Sequence, residues 1–331
     1  MTAPLQESLP CDGGPVEIFR AGTGGTGPRV AVIGGIHGDE VEGVLAARLL
    51  LDMLSQSVVR GQVTVVPVAN PPAFRLGSRC GPDALNLARV FPGTAEGSVT
   101  EQLARLLTMH VITGSSLLID MHSAGAHYRM PGFCGYPVSM SHGRHSCREL
   151  AERTGFPTVW GHRQIQPGRT ISAAQDLGIP WLYFESGGGG GLFKPDLDAA
   201  AGAALAVLSA IGAVDPGVVA APVAGTDPHH VTEGDGDVDS GLTFAERGLF
   251  VAHVRAGAET AAGDTLGEVI TPGGAHAEWI RSPHQGRVMM IRHSCTVEPG
   301  DLAALVAPTR QGMPRTCSSW DVSRGASDEH Y

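Results

Sequence analysis

His37 and Glu40 stand three residues apart in Gly34-Gly35-Ile36-His37-Gly38-Asp39-Glu40, directly after the strand-like run Arg29-Val30-Ala31-Val32-Ile33. At the mouth of a helix an i, i+3 pair lies on one face, so the imidazole and the carboxylate can converge on one ion. Borderline Zn²⁺ accepts both nitrogen and oxygen. The same pair also occurs in the polar first turn of ordinary helices, so two residues do not define a site. Catalytic zinc commonly has three protein ligands and an open position, and a third candidate, His122, closes the apolar run Ser116-Leu117-Leu118-Ile119-Asp120-Met121-His122. One further carboxylate, Glu185, ends Trp181-Leu182-Tyr183-Phe184 and precedes five consecutive glycines, Gly187 to Gly191, which allow close backbone approach to a substrate. Taken alone, Glu185 also reads as a charge that ends a strand.

These residues need a frame that brings strand ends together. Val30 to Ile33 reads as a strand leading into a helix from Glu40 to about Ser55, with Val41, Val44, Leu45, Leu49 and Met53 as its apolar face and Arg48 interrupting it. Val63 to Val68 and Ser116 to Met121 read as buried strands, and Ser98-Val99-Thr100-Glu101 as a capping box opening a helix to Ile112. An Ala-rich helix from about Pro195 to Ala210 closes the unit. Alternating strands and helices predict an α/β fold, a mixed sheet sandwiched by helices, whose sites gather beyond the strand ends. From Val214 the composition shifts to Gly, Pro, Asp and Thr. The expected organisation is a catalytic domain over 1–213, a linker over 214–230, a smaller C-terminal β domain of sandwich or half-barrel type over 231–310, and a disordered tail over 311–331. The paired turns Gly263-Asp264 and Gly300-Asp301 look like those of lipoyl and biotinyl carriers, but no lysine occupies Val288-Met289-Met290, read as a turn region, for cofactor attachment.

Composition limits the partners. A chain of 331 residues, 42% hydrophobic and 17% charged, can bury a large core. A formal charge of -10 with 23 Lys+Arg and no basic run argues against nucleic acid and against an anionic membrane, leaving a small molecule as the partner. Cys11, Cys80, Cys134, Cys147, Cys295 and Cys317 show no CxxC spacing, and the N-terminus lacks the order of a signal peptide, which predicts free thiols in the cytoplasm. No apolar stretch reaches the ~18 residues of a membrane span. A homo-oligomer is left open.

Five motifs in one order carry a resemblance over roughly residues 28 to 308: Gly35-Ile36-His37-Gly38-Asp39-Glu40, Ala69-Asn70-Pro71-Pro72-Ala73-Phe74, Asn86-Leu87-Ala88-Arg89-Val90-Phe91-Pro92-Gly93, Asp120-Met121-His122-Ser123 and Phe184-Glu185-Ser186-Gly187-Gly188. The chain resembles the succinylglutamate desuccinylase and aspartoacylase family of the zinc carboxypeptidase-like superfamily. Within it, the second and third motifs look most like the branch that deacetylates N-acetyl-diaminobutyrate in ectoine breakdown. The resemblance implies a zinc-dependent amidohydrolase with one Zn²⁺ per chain, acting on an N-acyl amino acid, with His37, Glu40 and His122 as ligands and Glu185 as general base and acid. It also implies that Arg79 faces the scissile carbonyl and Arg89 a substrate carboxylate. Ala88 departs from the pattern, which has an Asn before this Arg, and removes one donor; Arg75, nearby, is an alternative clamp.

The chemistry agrees with that implication. Amide hydrolysis needs an activated water, a polarised carbonyl and a proton for the leaving amine, and zinc with one nearby carboxylate can provide the first and third. Two guanidinium groups in a turn-rich segment can clamp a carboxylate or meet an oxyanion. Asp120 and Asn86 are candidate acceptors for the outer N–H of ligand histidines. His142 and His145, and His229 and His230, read as surface histidines without a partner carboxylate, and Arg163, Arg169 and Lys194 as charges flanking the pocket segments. Two other readings stay open: a zinc peptidase acting on a short peptide, which needs an open groove, and a noncatalytic metal-binding protein, which needs Glu185 turned away from the metal.

Overall fold

The computed structural model describes residues 3–215, 228–231 and 240–308. Most of the expected linker, the tail and Cys317 lie outside the described residues. Among those described, no helix is long and apolar enough to cross a membrane.

Nine strands form one mixed sheet in the spatial order Leu5–Leu9, Val16–Ala21, Gln62–Val66, Arg29–Gly34, Leu117–Ser123, Trp181–Ser186, Phe133–Pro137, Thr158–His162, His229–Val231. The four central strands from Gln62–Val66 to Trp181–Ser186 run parallel, as successive strand–helix crossovers require, and Trp181–Ser186 meets Phe133–Pro137 antiparallel. Such strands are buried on both faces, and Arg29–Gly34 shows this residue by residue. Val30 and Val32 enter one core with the helices Val41–Ser55 and Lys194–Ala210, while Ala31 and Ile33 enter the other with Val99–Leu107 and Thr170–Asp176.

Two details of the helices differ from expectation. The helix at Val41–Ser55 turns Gly43, Val44, Ala46, Ala47, Leu50, Leu51 and Leu54 inward, whereas Val41, Leu45, Leu49 and Met53 lie on its flanks. Small residues win the inner face because the helix sits on the His122 strand. A Cβ on Gly43 would lie 2.3 Å from the Met121 carbonyl oxygen. The helix opened by the Ser98 capping box is regular over Val99–Leu107 and then widens into a π turn over Thr108–Ile112, where the Thr108 hydroxyl donates to the Ala104 carbonyl.

The C-terminal region is β-rich, with a four-stranded and a five-stranded sheet around Phe244, Phe250, Leu266, Val269 and Val288. Val288, Met289 and Met290 lie within the strand Gly286–Arg292, not in a turn. The same strand also pairs with the two-residue strand Tyr128–Arg129 of the N-terminal part, so the two parts share a sheet. Both ends of the span read as a linker are strands: Val214–Asp215 pairs with Val58–Val59, and His229–Val231 extends the large sheet beside Thr158–His162. His229 and His230 are therefore sheet residues, about a third exposed, each 3.6 Å from a carboxylate, Glu259 and Glu152 respectively.

Candidate active site

The turn after the strand Arg29–Gly34 presents His37, and Glu40 occupies the N-cap of the following helix. His122 comes from the neighbouring parallel strand. Their ligand atoms lie within 4.8 Å of one another, and both His37 and Glu40 are buried. Glu40 bridges the histidines: Oε1 lies 2.7 Å from His37 Nδ1 and Oε2 lies 2.7 Å from His122 Nδ1.

The outer nitrogens explain that arrangement. His37 Nε2 lies 3.0 Å from Asn86 Oδ1, which also accepts the Ala88 N–H, so it is the amide oxygen that faces the ring. His122 Nε2 lies 3.0 Å from Asp120 Oδ2, two residues back on the same strand face, and Asp120 is held in turn by the Thr170 hydroxyl. With each Nε2 acting as donor, the inner Nδ1 atoms present lone pairs toward the Glu40 carboxylate. Lone pairs facing at 2.7 Å are reconciled by a cation between them, either a proton shared with the carboxylate or a metal ion. Two imidazoles oriented by acceptors and one carboxylate form a donor set that fits zinc.

Electrostatics point the same way. Burial pushes the Glu40 carboxyl up, but the two imidazoles outweigh it and hold it well below the usual range. Burial lowers His37 despite Glu40, whereas Asp120 and Glu40 overcome burial at His122 and raise it well above an ordinary histidine. Arg79 donates to Glu40 Oε1 at 2.8 Å.

Glu185 stands beside His122 in the parallel register of the two strands, on the same sheet face, and lines the same cavity. Its Oε2 is buried with no hydrogen-bond partner among the described residues. Burial, with help from the Glu40 charge and against His122 and Arg79, pushes its carboxyl up to about 8. This is a carboxyl aimed into the cavity and poised to hold or release a proton near neutral pH.

The cavity measures about 100 Å³. Arg79, Arg89 and Arg169 all line it, so Arg169 belongs to the pocket itself. Arg75 does not: it closes the short helix Pro71–Leu76 and its guanidinium donates to the Gly13 carbonyl, because the helix turns it away from the metal-side residues. Neither Arg163 nor Lys194 lines the cavity; Lys194 pairs with Asp198 on its own helix. His142 Nε2 meets Ser116 Oγ at 3.0 Å, away from the site. The sequence reading missed Tyr183 and His162, joined at 2.8 Å, and Met289 and Leu305, which reach the cavity from the C-terminal sheet. Tyr183 carried a signal, since it shares a strand face with Glu185; Met289 and Leu305 read as ordinary core.

A mixed α/β fold with a His-Glu-His candidate metal site at adjacent parallel strand ends defines the class. Residues 26–211 match the succinylglutamate desuccinylase/aspartoacylase catalytic domain, more than half of the chain, and the protein belongs to this family. The N-alpha-acetyl-L-2,4-diaminobutyric acid deacetylase of Halomonas elongata is 41% identical over 112 residues, which is 34% of this chain and 32% of that protein. The matched stretch thus spans about a third of the relative's length. The product-bound ectoine utilization protein EutE (DoeB) from Ruegeria pomeroyi superposes with a TM-score of 0.79 at 26% identity, covering 92% of this chain and 94% of that one. A succinylglutamate desuccinylase/aspartoacylase from Rhodobacter sphaeroides, at 23% identity and a TM-score of 0.77, covers 93% and 95% and shares the fold.

Proposed function

We propose that this protein is a zinc-dependent amidohydrolase that removes a small acyl group from an N-acyl amino acid or related amine. The observation that carries this reading is the carboxylate of Glu185, whose Oε2 is buried without a hydrogen-bond partner among the described residues, in register with His122 and lining the same cavity as Glu40 and Arg79. His37, Glu40 and His122 would hold the ion. Zinc bound there supplies Lewis acidity, which makes water acidic enough to give up a proton and polarises a carbonyl.

Glu185 then takes a proton from the attacking water as its oxygen bonds to the acyl carbon. Arg79 donates to the carbonyl oxygen as that oxygen gains charge. When the C–N bond breaks, Glu185 returns its proton to the departing amine, leaving a free carboxylic acid and a free amine. Arg89 meets a substrate carboxylate, with Ala88 removing the amide donor expected beside it. The Halomonas relative is named for deacetylating N-acetyl-diaminobutyrate, so the acetyl group is the first acyl group to test. A peptidase reading is less well supported, because the cavity, lined in part by Met289 and Leu305 of the C-terminal sheets, measures only about 100 Å³. The same geometry disfavours a noncatalytic metal protein, since Glu185 faces the ligands. A cytoplasmic location goes with this reading.

The test is metal content and a hydrolysis screen of acetyl, succinyl and formyl derivatives of Asp, Glu, diaminobutyrate and ornithine. About one zinc per chain is expected, with chelation abolishing turnover and zinc restoring it. Turnover unaffected by complete chelation would sink the proposal.

A further inference from the structure

The cavity has two unlike halves. One carries the histidines, carboxylates and arginines already described. The other is apolar, formed by Met130, Phe133, Trp160, Tyr183, Met289 and Leu305. Strand pairing puts this wall beside Glu185: Phe133 stands opposite Glu185 across the antiparallel pair, and Tyr183 lies two residues along Glu185's own strand, on the same face. The rings adjoin, with Phe133 centred 5.7 Å from Trp160 and 5.6 Å from Tyr183. Two polar tips interrupt it, the Trp160 indole N–H and the Tyr183 hydroxyl, and the hydroxyl is already engaged by His162 Nε2 at 2.8 Å. Met289 is fully buried in the protein and Leu305 nearly so, and both come from the C-terminal sheets. None of the six carries a charge.

Resting on the deacylase reading, we propose that this wall is the subsite for the substrate's amino-acid side chain, and that it takes an uncharged apolar side chain of a few carbons, of the leucine or methionine kind. The assignment to the amine half follows from the proton. Glu185 returns it to the leaving nitrogen, so the group lying against Phe133 and Tyr183 is the one attached to that nitrogen. A side-chain ammonium in this place would be stripped of water against ring faces and aliphatic carbon, with the neighbouring Glu185 carboxylate already committed, on the deacylase reading, to the transferred proton. The ammonium's desolvation outweighs what cation–π contact returns, and Arg79, Arg89 and Arg169 line the same cavity. A second carboxylate would find among the wall's side chains only the Trp160 indole N–H and the Tyr183 hydroxyl, the latter already paired with His162. An apolar side chain only gains by leaving water. The cavity of about 100 Å³ restricts its length.

Binding to the zinc-loaded Glu185→Gln protein, measured by titration calorimetry, reads the wall without turnover. N-acetyl-L-leucine is expected to bind at least about tenfold more tightly than N-acetyl-L-aspartate and Nα-acetyl-L-2,4-diaminobutyrate. Met289→Ala and Leu305→Ala should each weaken the leucine derivative by roughly three- to tenfold and move the aspartate derivative by less than about twofold. If either variant fails to fold, N-hexanoylglycine against the unaltered wall keeps the question decidable, and it should bind more weakly than N-acetyl-L-leucine. Equal or tighter binding of the aspartate or diaminobutyrate derivative, or of N-hexanoylglycine, overturns the assignment. Tight, selective binding of N-acetyl-L-leucine with no hydrolysis of it by the wild type would sink the deacylase reading and leave the wall's specificity standing.

Discussion

In the proposed mechanism the Glu185 carboxylate moves a proton twice, and its environment makes two expectations concrete. Glu185→Gln keeps shape and hydrogen bonding but cannot accept a proton, so turnover should fall by roughly 10² to 10⁴ while zinc content and fold persist. Retention of activity within about threefold would show that another group carries the proton. In the metal-free protein the same carboxyl sits near 8 against an ordinary value of 4.5. A carboxyl raised on folding binds its proton more tightly in the native state, so its contribution is fully present below about 4.5 and is lost as the pH rises through about 8. Metal-free wild type should therefore lose thermal stability relative to metal-free Glu185→Gln across that window, with the difference vanishing near pH 4. A gap between the two melting curves that does not change with pH would contradict the burial argument. Much of this was legible in the sequence: His37, Glu40, His122 and Glu185 occupy strand and helix ends that a reading of periodicity locates, and Asn86 and Asp120 follow once ligand histidines are assumed. That Arg75 lies outside the cavity lining was not legible, because sequence proximity to Arg79 does not tell which way a six-residue helix turns its side chains.

At the scale of elements, the site exists because a helix lies unusually close to a strand. Glu40 at the N-cap and His122 on the strand can share one ion only while Gly43 lets the helix rest on the Met121 carbonyl. Gly43→Ala weighs two opposed effects. Replacing a helical glycine by alanine gains about 1 kcal/mol in propensity. A Cβ placed 2.3 Å from a backbone oxygen forces the helix to shift, and overpacking of this kind costs about 1–3 kcal/mol. The steric effect should win, lowering the melting temperature and, because the shift carries Glu40 away from His122, reducing bound zinc. Unchanged zinc content with lowered stability would show that the ligand geometry tolerates the movement. The helix was legible in the sequence but its inward face was not. Hydrophobicity favoured Val41, Leu45, Leu49 and Met53, whereas close packing selected Gly43, Ala46 and Ala47, whose value is their small size.

The composition change after Val214 announced a β-rich region, and the turn pattern gave its class, yet neither told that this region completes the pocket. One buried cluster joins Phe133, Trp160 and Val231 of the large sheet to Met289, Met290, Leu305 and Ala307 of the C-terminal sheets, and Arg292 donates to the Tyr128 hydroxyl across the same junction. In sequence those residues are indistinguishable from any strand core; only the strand pairing makes them a shared wall. A cluster without a seam ties the stability of the two parts together, since exposing one half strips apolar cover from the other. Calorimetric unfolding should therefore give a single transition, with equal calorimetric and van't Hoff enthalpies. Zinc should raise that transition as a whole, because a ligand bound only by the native state stabilises everything that unfolds with its site. Met290→Ala, remote from the catalytic groups, should lower the same transition by an amount set by the lost burial, about 2–5 kcal/mol. Two resolved transitions, of which zinc moves only one, would show that the C-terminal region folds independently and merely rests against the cavity.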